Sequence, residues 1–329
     1  MRKKISILLS VVLSTTLLYG CNKKMDNEKE TKVYKEVNIA APDGLPAISM
    51  AKLAKENISI QDEYKQNYII EKSAEALSTD VMKEKIDIAI VPSNMAAIAY
   101  NKTSNYKIAG TVGMGSFYLV SSEDITDFED LVGKEVGNIG KGLTPESIVQ
   151  NILKAKNIDS SKINFNYVNS ANELIPMLLT GKIKTAFVPE PALTALTSKN
   201  KEIKVIKSLN DEWKEVTGFK EGYPQSTLII KEDFIKENKD FVEKFLGALT
   251  ESISWANINT SKIGEYCKEI GISTEHKVIG ESLKRANLNF IPIKNMKKEY
   301  NDYYQKLSEF DIKTVGGKLP DEGIYFTEK

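Results

Sequence analysis

Residues 73–92 read SAEALSTDVMKEKIDIAIVP, and residues 170–189 read SANELIPMLLTGKIKTAFVP. The two stretches align at an offset of 97 without a gap and are identical at eight of twenty positions. Upstream, VNIAAPDGLP at 37–46 matches EVGNIGKGLTP at 135–145 with one insertion. One such match can arise by chance, but two in the same order indicate an internal repeat. The repeat predicts two lobes of similar fold.

Each copy combines short apolar runs, glycine-containing turns and segments with helical patterning. The predicted strands are 37–41, 86–91, 135–139 and 184–188, and the helices that follow them are 46–56, 93–101, 145–156 and 191–198. Strands that alternate with helices indicate an α/β fold with mostly parallel sheets. Pro46, Pro145 and Pro191 fit the first helical position, and Ser93 and Thr144 fit N-caps. Because ligands of such sheets bind beyond the carboxyl ends of the strands, facing turns predict a cleft.

The remaining segments connect and cover the two copies. Residues 106–121 run from the first copy toward the second, and 224–230 form the predicted return strand. Beyond it the chain is predicted to be mostly helical. Two amphipathic faces are predicted to be buried, one in 240–256 and one in the helix 299–310. Their members are Phe241, Phe245, Leu249 and Ile253, and Tyr300, Tyr303, Tyr304, Leu307 and Phe310.

The composition excludes several classes of protein. Lysine and arginine together number 45, as do aspartate and glutamate, so no basic excess indicates a nucleic-acid partner. One histidine and two cysteines cannot supply a His-rich or CxxC zinc site or a disulfide framework. A Ser-His-Asp triad would have to use His276. We therefore predict no metal, no cofactor and no catalytic residues.

The N-terminus has the pattern of a secretory signal. Three basic residues precede an apolar run that ends at Gly20 and is shorter than a membrane-spanning helix needs. The run closes Leu18-Tyr19-Gly20-Cys21, which resembles the lipobox of bacterial lipoproteins. Residues 1–20 are predicted to be a signal peptide, Cys21 to carry lipid, and 21–35 to be a flexible tether. An uncleaved anchor or a chance cysteine is the alternative. Cys267 is predicted to be a core thiol.

The four turns that follow the predicted strands carry a family resemblance. They contain DGLPA, VPSN, GKGLTPES and FVPEPA. With the lipobox and the repeat, they resemble the solute-binding lipoproteins of ABC importers, and more narrowly the branch for nitrate, sulfonate, taurine and thiamine-precursor pyrimidines. The resemblance covers about 36–329. It implies a two-lobed type II periplasmic-binding-protein fold with a hinge and a central ligand cleft.

The resemblance also implies how the chain is divided and what it meets. Lobe I would be 36–121 plus 226–329, and lobe II would be 122–225. The implied partners are a small-molecule solute, an ABC permease and ATPase, and the membrane through the lipid on Cys21. The protein would be a monomer on the extracytoplasmic face of the cell membrane, with no nucleic-acid partner.

Carried over turn by turn, the resemblance implies a set of ligand-facing residues. They are Asp43, Gly44, Leu45, Ser93, Asn94, Lys141, Gly142, Thr144, Glu190, Gln225 and Ser226. Each also has a purely structural interpretation: Asp43 can bond its own turn, Ser93 and Thr144 can cap helices, and Glu190 suits a helix start. Phe117 and Tyr223 could stack on a flat ring, although packing is the alternative.

The charges of this set indicate the class of solute. It holds one base, Lys141, against two acids, Asp43 and Glu190, and no arginine, the usual clamp for a sulfonate. The set therefore favours a neutral, zwitterionic or amine-bearing molecule, with a thiamine-precursor pyrimidine favoured over sulfonate, taurine or nitrate. Two alternatives remain open. One is an enzyme of the same fold, of the thiamine-pyrimidine or menaquinone-route type, and the other is a solute sensor.

Overall fold

The computed structural model describes residues 33–327, which alternate strands and helices along almost their whole length. The signal peptide, Cys21 and most of the predicted tether lie outside the described residues. The strands are β1 (Lys35–Pro42), β2 (Tyr64–Glu71), β3 (Ile88–Pro92), β4 (Tyr106–Met114), β5 (Phe117–Ser121), β6 (Glu135–Ile139), β7 (Asn164–Val168), β8 (Thr185–Pro189), β9 (Lys204–Ser208), β10 (Pro224–Lys231) and β11 (Leu288–Pro292).

Helices cover both sheets and form most of the chain after β10. They are α1 (Leu45–Ser49), α2 (Ala51–Glu56), α3 (Ala74–Met82), α4 (Ser93–Thr103), α5 (Thr144–Ala155), α6 (Ala171–Leu179), α7 (Ala192–Lys199), α8 (Leu209–Thr217), α9 (Glu232–Glu237), α10 (Lys239–Ile258), α11 (Ile263–Glu269), α12 (His276–Ser282) and α13 (Lys297–Phe310). Short 3-10 helices, among them Leu283–Arg285, join several of them. Within residues 33–327, no helix has the length and apolar character needed to cross a bilayer.

The sequence repeat is a structural repeat. Helix α3 and strand β3 of the first copy correspond to α6 and β8 of the second, each at the offset of 97 that the sequence shows. Ser73 and Ser170 stand at the N-caps of α3 and α6, and the Ser73 hydroxyl accepts from Ala76 N–H at 3.2 Å. The repeated sequence therefore corresponds to a repeated helix–strand unit.

The two sheets contain the same arrangement of three parallel strands. The described residues form one sheet in the order β11-β4-β10-β3-β1-β2 and another in the order β7-β6-β8-β5-β9. β1 lies parallel between β2 and β3, and β6 lies parallel between β7 and β8. Next to each trio comes an antiparallel strand, β10 beside β3 and β5 beside β8. Each sheet therefore combines parallel and antiparallel strands, and the antiparallel strands lie where the chain enters or leaves the sheet. The strand pattern of the sequence did not reveal this.

We call the first sheet with α1–α4 and α9–α13 the first lobe, and the second sheet with α5–α8 the second lobe. The chain changes sheets at 115–116 and returns before Pro224. The two crossings lie side by side, since Gly115 N–H donates to the Tyr223 carbonyl at 3.0 Å. With the predicted boundaries at 121/122 and 225/226, β5 would belong to lobe I and the first two residues of β10 to lobe II. In the structure β5 pairs in the second sheet and β10 in the first. The alternating apolar pattern of 106–121 runs through the crossing and conceals it.

The predicted buried faces lie in the core, with one exception. Phe241, Phe245, Leu249 and Ile253 of α10 are buried, as are the three tyrosines and the leucine of α13, and Cys267 is a buried free thiol. Phe310, at the last position of α13, is 40% exposed, so its predicted burial is wrong. The buried face ends at Leu307, because Phe310 is the last helical residue and lies where the chain leaves the helix.

The helix starts differ by one residue from the prediction. Pro92 and Leu143 hold the N-cap positions of α4 and α5, and no side chain caps either helix. Ser93 and Thr144 are therefore the first helical residues rather than N-caps, which frees both hydroxyls for other partners. Pro191 is likewise an N-cap residue and not the first residue of α7.

Candidate functional site

The two lobes meet where α4, α5 and α13 converge. Thr144, at the start of α5, donates from its hydroxyl to Asn94 Oδ1 of α4 at 3.1 Å. The same hydroxyl lies 3.1 Å from the hydroxyl of Tyr303 on α13. All three side chains are buried. Because α4 and α13 belong to the first lobe and α5 to the second, these are hydrogen bonds between lobes.

A network of hydroxyls continues from this contact into the first lobe. Thr227 of β10 donates to the Ser93 hydroxyl at 2.7 Å and contacts the hydroxyl of Tyr300. Tyr304 donates to the Ser93 carbonyl at 2.9 Å. Burial raises the pKa of Tyr300 to about 12 and raises the pKa values of Tyr303 and Tyr304 as well, so these phenols stay neutral. The network offers hydrogen bonds without charge.

An aromatic wall lies beside the network. The indole of Trp213, on α8 of the second lobe, meets the Tyr303 ring edge-on, with centroids 6.3 Å apart. It meets Tyr223 edge-on at 5.9 Å, and the Phe219 ring lies tilted to it at 6.4 Å. Trp213, Tyr223 and Tyr303 are fully buried. We call Ser93, Asn94, Thr144, Trp213, Tyr223, Thr227, Tyr300, Tyr303 and Tyr304 the interlobe cluster.

An ion pair joins the lobes at a second place. Arg285 Nε, in the short helix after α12, donates to Glu190 Oε1 at 2.7 Å, and its guanidinium also donates to the Thr194 hydroxyl at 3.0 Å. Thr194 N–H donates to the other oxygen of Glu190 at 3.1 Å. Burial raises the pKa of the Glu190 carboxyl, and Arg285 and Thr194 partly offset that effect by stabilising its charge. The hydroxyl of Tyr118 donates to the Arg285 carbonyl at 2.8 Å.

Several predicted ligand-facing residues make their contacts with groups outside the interlobe cluster. The Asp43 carboxylate accepts from Ser273 N–H at 3.2 Å, next to Gly44, which caps α1, and Leu45, which packs in the first-lobe core. Lys141 is exposed, with its Nζ 5.8 Å from the ring centroid of Tyr167, and the neighbouring Gly142 N–H donates to the carboxylate of Glu146. Asp43 thus bonds a loop distant in sequence and not its own turn, which differs from its predicted structural role.

Gln225 and Ser226 stand at the return crossing. Gln225 Oε1 accepts from Ser116 N–H at 2.8 Å, and its amide nitrogen donates to the Ser116 hydroxyl at 2.9 Å. Gln225 therefore ties the two crossings together. Ser226 is buried opposite Pro92, next to the interlobe cluster. Phe117 and Tyr223 are both buried, as the packing alternative predicted.

Sequence reasoning did not place Trp213, Thr227, Tyr303 or Arg285 at the site. The apolar face of the last helix indicated that Tyr303 is buried but not that its hydroxyl meets Thr144. Arg285 lies 95 positions from Glu190, outside every predicted turn, and no local pattern signals their contact. His276 also lies outside the cluster, with its Nε2 3.6 Å from a carboxylate oxygen of Glu265. Among residues 33–327, no three His, Cys, Asp or Glu side chains converge as a metal site requires.

Comparison with known families identifies the fold family. A family model described as NMT1/THI5 like matches residues 68–260, which is more than half of the chain. The chain belongs to the NMT1/THI5-like family. The match includes residues 73–92 and 170–189 of the repeat and reaches into α10, so it covers the strands and helices of the interlobe cluster except α13, which carries Tyr300, Tyr303 and Tyr304.

Individual proteins similar to this NMT1/THI5-like chain agree in fold. An ABC transporter protein from Parabacteroides distasonis is 24% identical, with 91% of this chain and all of the other covered and a TM-score of 0.77. The periplasmic aliphatic sulphonate binding protein SsuA from Escherichia coli is 14% identical, with 89% and 92% covered and a TM-score of 0.72. Both likenesses confirm the two-lobed α/β fold.

A curated relative is similar over part of the chain. YtlA of Bacillus subtilis (strain 168), which its name describes provisionally as a binding protein, is 27% identical over 176 residues. That match covers 51% of this chain and spans about half the length of the relative. None of these three relatives is named as an enzyme.

The geometry of the cluster makes a direct prediction about stability. Thr144→Val removes a buried hydroxyl that bonds both Asn94 and Tyr303, and we expect it to lower the free energy of unfolding by about 1–3 kcal/mol. Lys141→Ala, three positions earlier on an exposed turn, should change it by less than about 0.5 kcal/mol. Chemical denaturation followed by circular dichroism measures both. Equal losses in the two variants would contradict the interlobe role of Thr144.

Proposed function

We propose that the chain is the extracytoplasmic solute-binding component of an ABC importer, which captures a small polar solute between its lobes and delivers it to a permease and ATPase. The family membership and the fold of an ABC transporter protein and a sulphonate-binding protein support this function. Lipid on Cys21 would hold the protein at the outer surface of the cell membrane.

One observation carries the proposal: the interlobe cluster, where side chains of the two lobes meet, is a buried and uncharged set of hydrogen-bonding groups. Thr144 bonds Asn94 and Tyr303 directly across the junction. If the lobes part, these groups lose each other as partners, and a polar solute that enters can satisfy them. Closure around the solute then restores the buried hydrogen bonds that a buried polar group requires.

The chemistry of the cluster favours a neutral, flat, polar solute. Its phenols and hydroxyls are neutral, and Arg285, which joins the lobes at the second contact, is paired with Glu190 at 2.7 Å. A thiamine-precursor pyrimidine, which is flat and bears both donors and acceptors, suits this set better than taurine, a sulfonate or nitrate. The first turn of α5 reaches the cluster at Thr144, so an anion at that helix N-terminus is the second candidate.

A panel of solutes tests the proposal by thermal shift on the purified full chain in mild detergent. The panel holds 4-amino-2-methylpyrimidine, thiamine, taurine, an alkyl sulfonate and nitrate. A solute at 100 times its dissociation constant stabilises the folded state by about 2.7 kcal/mol, which corresponds to a rise in melting temperature of roughly 5 °C. We expect this rise with the pyrimidine and a smaller one in Thr144→Val. A rise with sulfonates alone would contradict a neutral solute. No rise with any member of the panel would contradict capture of these solutes.

Uptake distinguishes an importer from the alternatives. Cells that lack the protein should lose uptake of the labelled solute that gives the shift, and re-expression should restore it. A sensor would change gene expression without changing uptake, and an enzyme of the same fold would convert the solute during incubation with the purified protein. We expect the recovered solute to be chemically unchanged.

A further inference from the structure

The indole N–H of Trp213 is a buried donor without a protein acceptor. Its Nε1 is shielded from solvent, and no described group lies within hydrogen-bonding distance of it. A buried tryptophan N–H ordinarily finds a partner, because leaving it unpaired forfeits its hydration. The neighbouring hydroxyl of Tyr303 is bonded to Thr144. The unpaired donor therefore stands out within a cluster whose other polar groups are largely satisfied.

The position of this donor coincides with the junction of the lobes. Trp213 comes from α8 of the second lobe, and the ring that it meets at 6.3 Å, Tyr303, comes from α13 of the first lobe. Tyr223, at 5.9 Å, lies at the return crossing. Because the indole contacts a ring of the other lobe, motion of one lobe against the other would change its surroundings.

We propose that Trp213 is a specificity-determining residue, whose Nε1–H donates a hydrogen bond to the captured solute, and that this solute is a neutral ring bearing an acceptor nitrogen or carbonyl. This inference rests on the proposed solute capture between the lobes. It adds to that function a particular donor and, from the donor, a chemical requirement on the solute.

The surroundings of the indole favour a ring over a compact anion. The rings of Tyr223 and Tyr303 stand at 70° and 69° to the indole of Trp213, an edge-on arrangement that aromatic rings favour. A neutral N–H supplies one directional bond rather than compensation for a full charge. A site built to donate such a bond rejects an otherwise identical molecule that lacks the acceptor, because the donor is then left unpaired.

The test compares two rings of the same shape in two forms of the protein. The probes are 4-amino-2-methylpyrimidine and 3-methylaniline, in which CH replaces both ring nitrogens, at a pH where both are neutral. Affinities are measured by calorimetry on the full chain, on Trp213→Phe and on the matched control Trp255→Phe. Trp255 is the half-buried tryptophan of α10 in the first lobe, with its ring tilted at 33° to that of Tyr266 and their centroids 4.6 Å apart.

We expect the native protein and Trp255→Phe to prefer the pyrimidine, and Trp213→Phe to lose roughly 3- to 10-fold of that preference, the effect of one neutral hydrogen bond. A general loss of packing would weaken both probes alike and leave the preference unchanged, which would overturn the inference. Binding of taurine, a sulfonate or nitrate without binding of the pyrimidine would overturn it too, while leaving solute capture intact. No binding of any solute would count against the proposed function itself.

Fluorescence provides a second test that does not depend on Trp213→Phe folding. In Trp255→Phe, Trp213 is the tryptophan that remains in the sequence. Saturating 4-amino-2-methylpyrimidine should then change its emission intensity or wavelength, because a hydrogen bond to the indole N–H alters its excited state. Binding detected by calorimetry with an unchanged emission spectrum would overturn the contact.

Discussion

Arg285→Met is expected to lower the free energy of unfolding by about 2 kcal/mol and to part the two lobes. The substitution keeps an extended apolar stem but leaves the buried carboxylate of Glu190 without its cation. Removal of one partner of a fully buried pair costs about 3–5 kcal/mol. We expect less here, because 37% of the Arg285 side chain is exposed and Thr194 continues to donate to Glu190.

The measurements for Arg285→Met are the melting temperature, expected to fall by roughly 4 °C, and the radius of gyration from small-angle scattering, expected to rise. The matched control is the double variant Arg285→Met with Glu190→Gln, which removes the buried charge as well and should recover part of the loss. A double variant as unstable as Arg285→Met alone would show that the unpaired charge is not the cause. An unchanged radius and melting temperature in Arg285→Met would contradict a closing role for the ion pair.

Gly280→Ala is expected to have the larger effect of two glycine substitutions in helices. A Cβ at Gly280, in α12, would overlap the backbone carbonyl oxygen of Thr260, which cannot rotate away. Overpacking of this kind costs about 1–3 kcal/mol, and a rigid backbone contact places it at the upper end or beyond. Because α12 leads directly to Arg285, displacement of the helix should also weaken the ion pair with Glu190.

Gly247→Ala is the matched control for Gly280→Ala. Gly247 lies in α10, is exposed, and has no atom within 4 Å of the position that its Cβ would take. Alanine there should stabilise the protein by about 0.5–1 kcal/mol through its greater helix propensity. Urea unfolding of both variants measures the two effects, which we expect to have opposite signs. Destabilisation by Gly247→Ala, or a neutral Gly280→Ala, would contradict the close packing of α12.

The repeated architecture was predictable from sequence because it is recorded locally. The unit 73–92 carries a serine cap, an apolar helical face and a β-branched strand, and each feature follows from the residues of that unit alone. Its copy at 170–189 confirms the same spacing of helix and strand. The return strand at 224–230 also appears as predicted, extended by one residue. Periodicity and propensity determine such elements, so a pattern of twenty residues is sufficient.

The chemistry between the lobes was predictable only in part. Ser93, Asn94 and Thr144 were placed at facing turns because strand ends of an α/β fold meet at one edge. The partner of Thr144, however, is Tyr303, and the partner of Glu190 is Arg285, both distant in sequence. Such pairs depend on how two lobes pack, which no local pattern records. For the same reason the sequence did not predict that Asp43 bonds the loop at Ser273 or that Glu190 bonds an arginine.

The order of strands in the first sheet has a consequence for synthesis on the ribosome. β4 is paired in the sheet with β10 and β11, both of which are encoded after the entire second lobe. The second sheet, in contrast, is built from five consecutive strands, β5 to β9. As the chain emerges, the second lobe can assemble its sheet before the strands that pair with β4 have been synthesised. The lobe that begins the protein is therefore the one whose sheet is completed last.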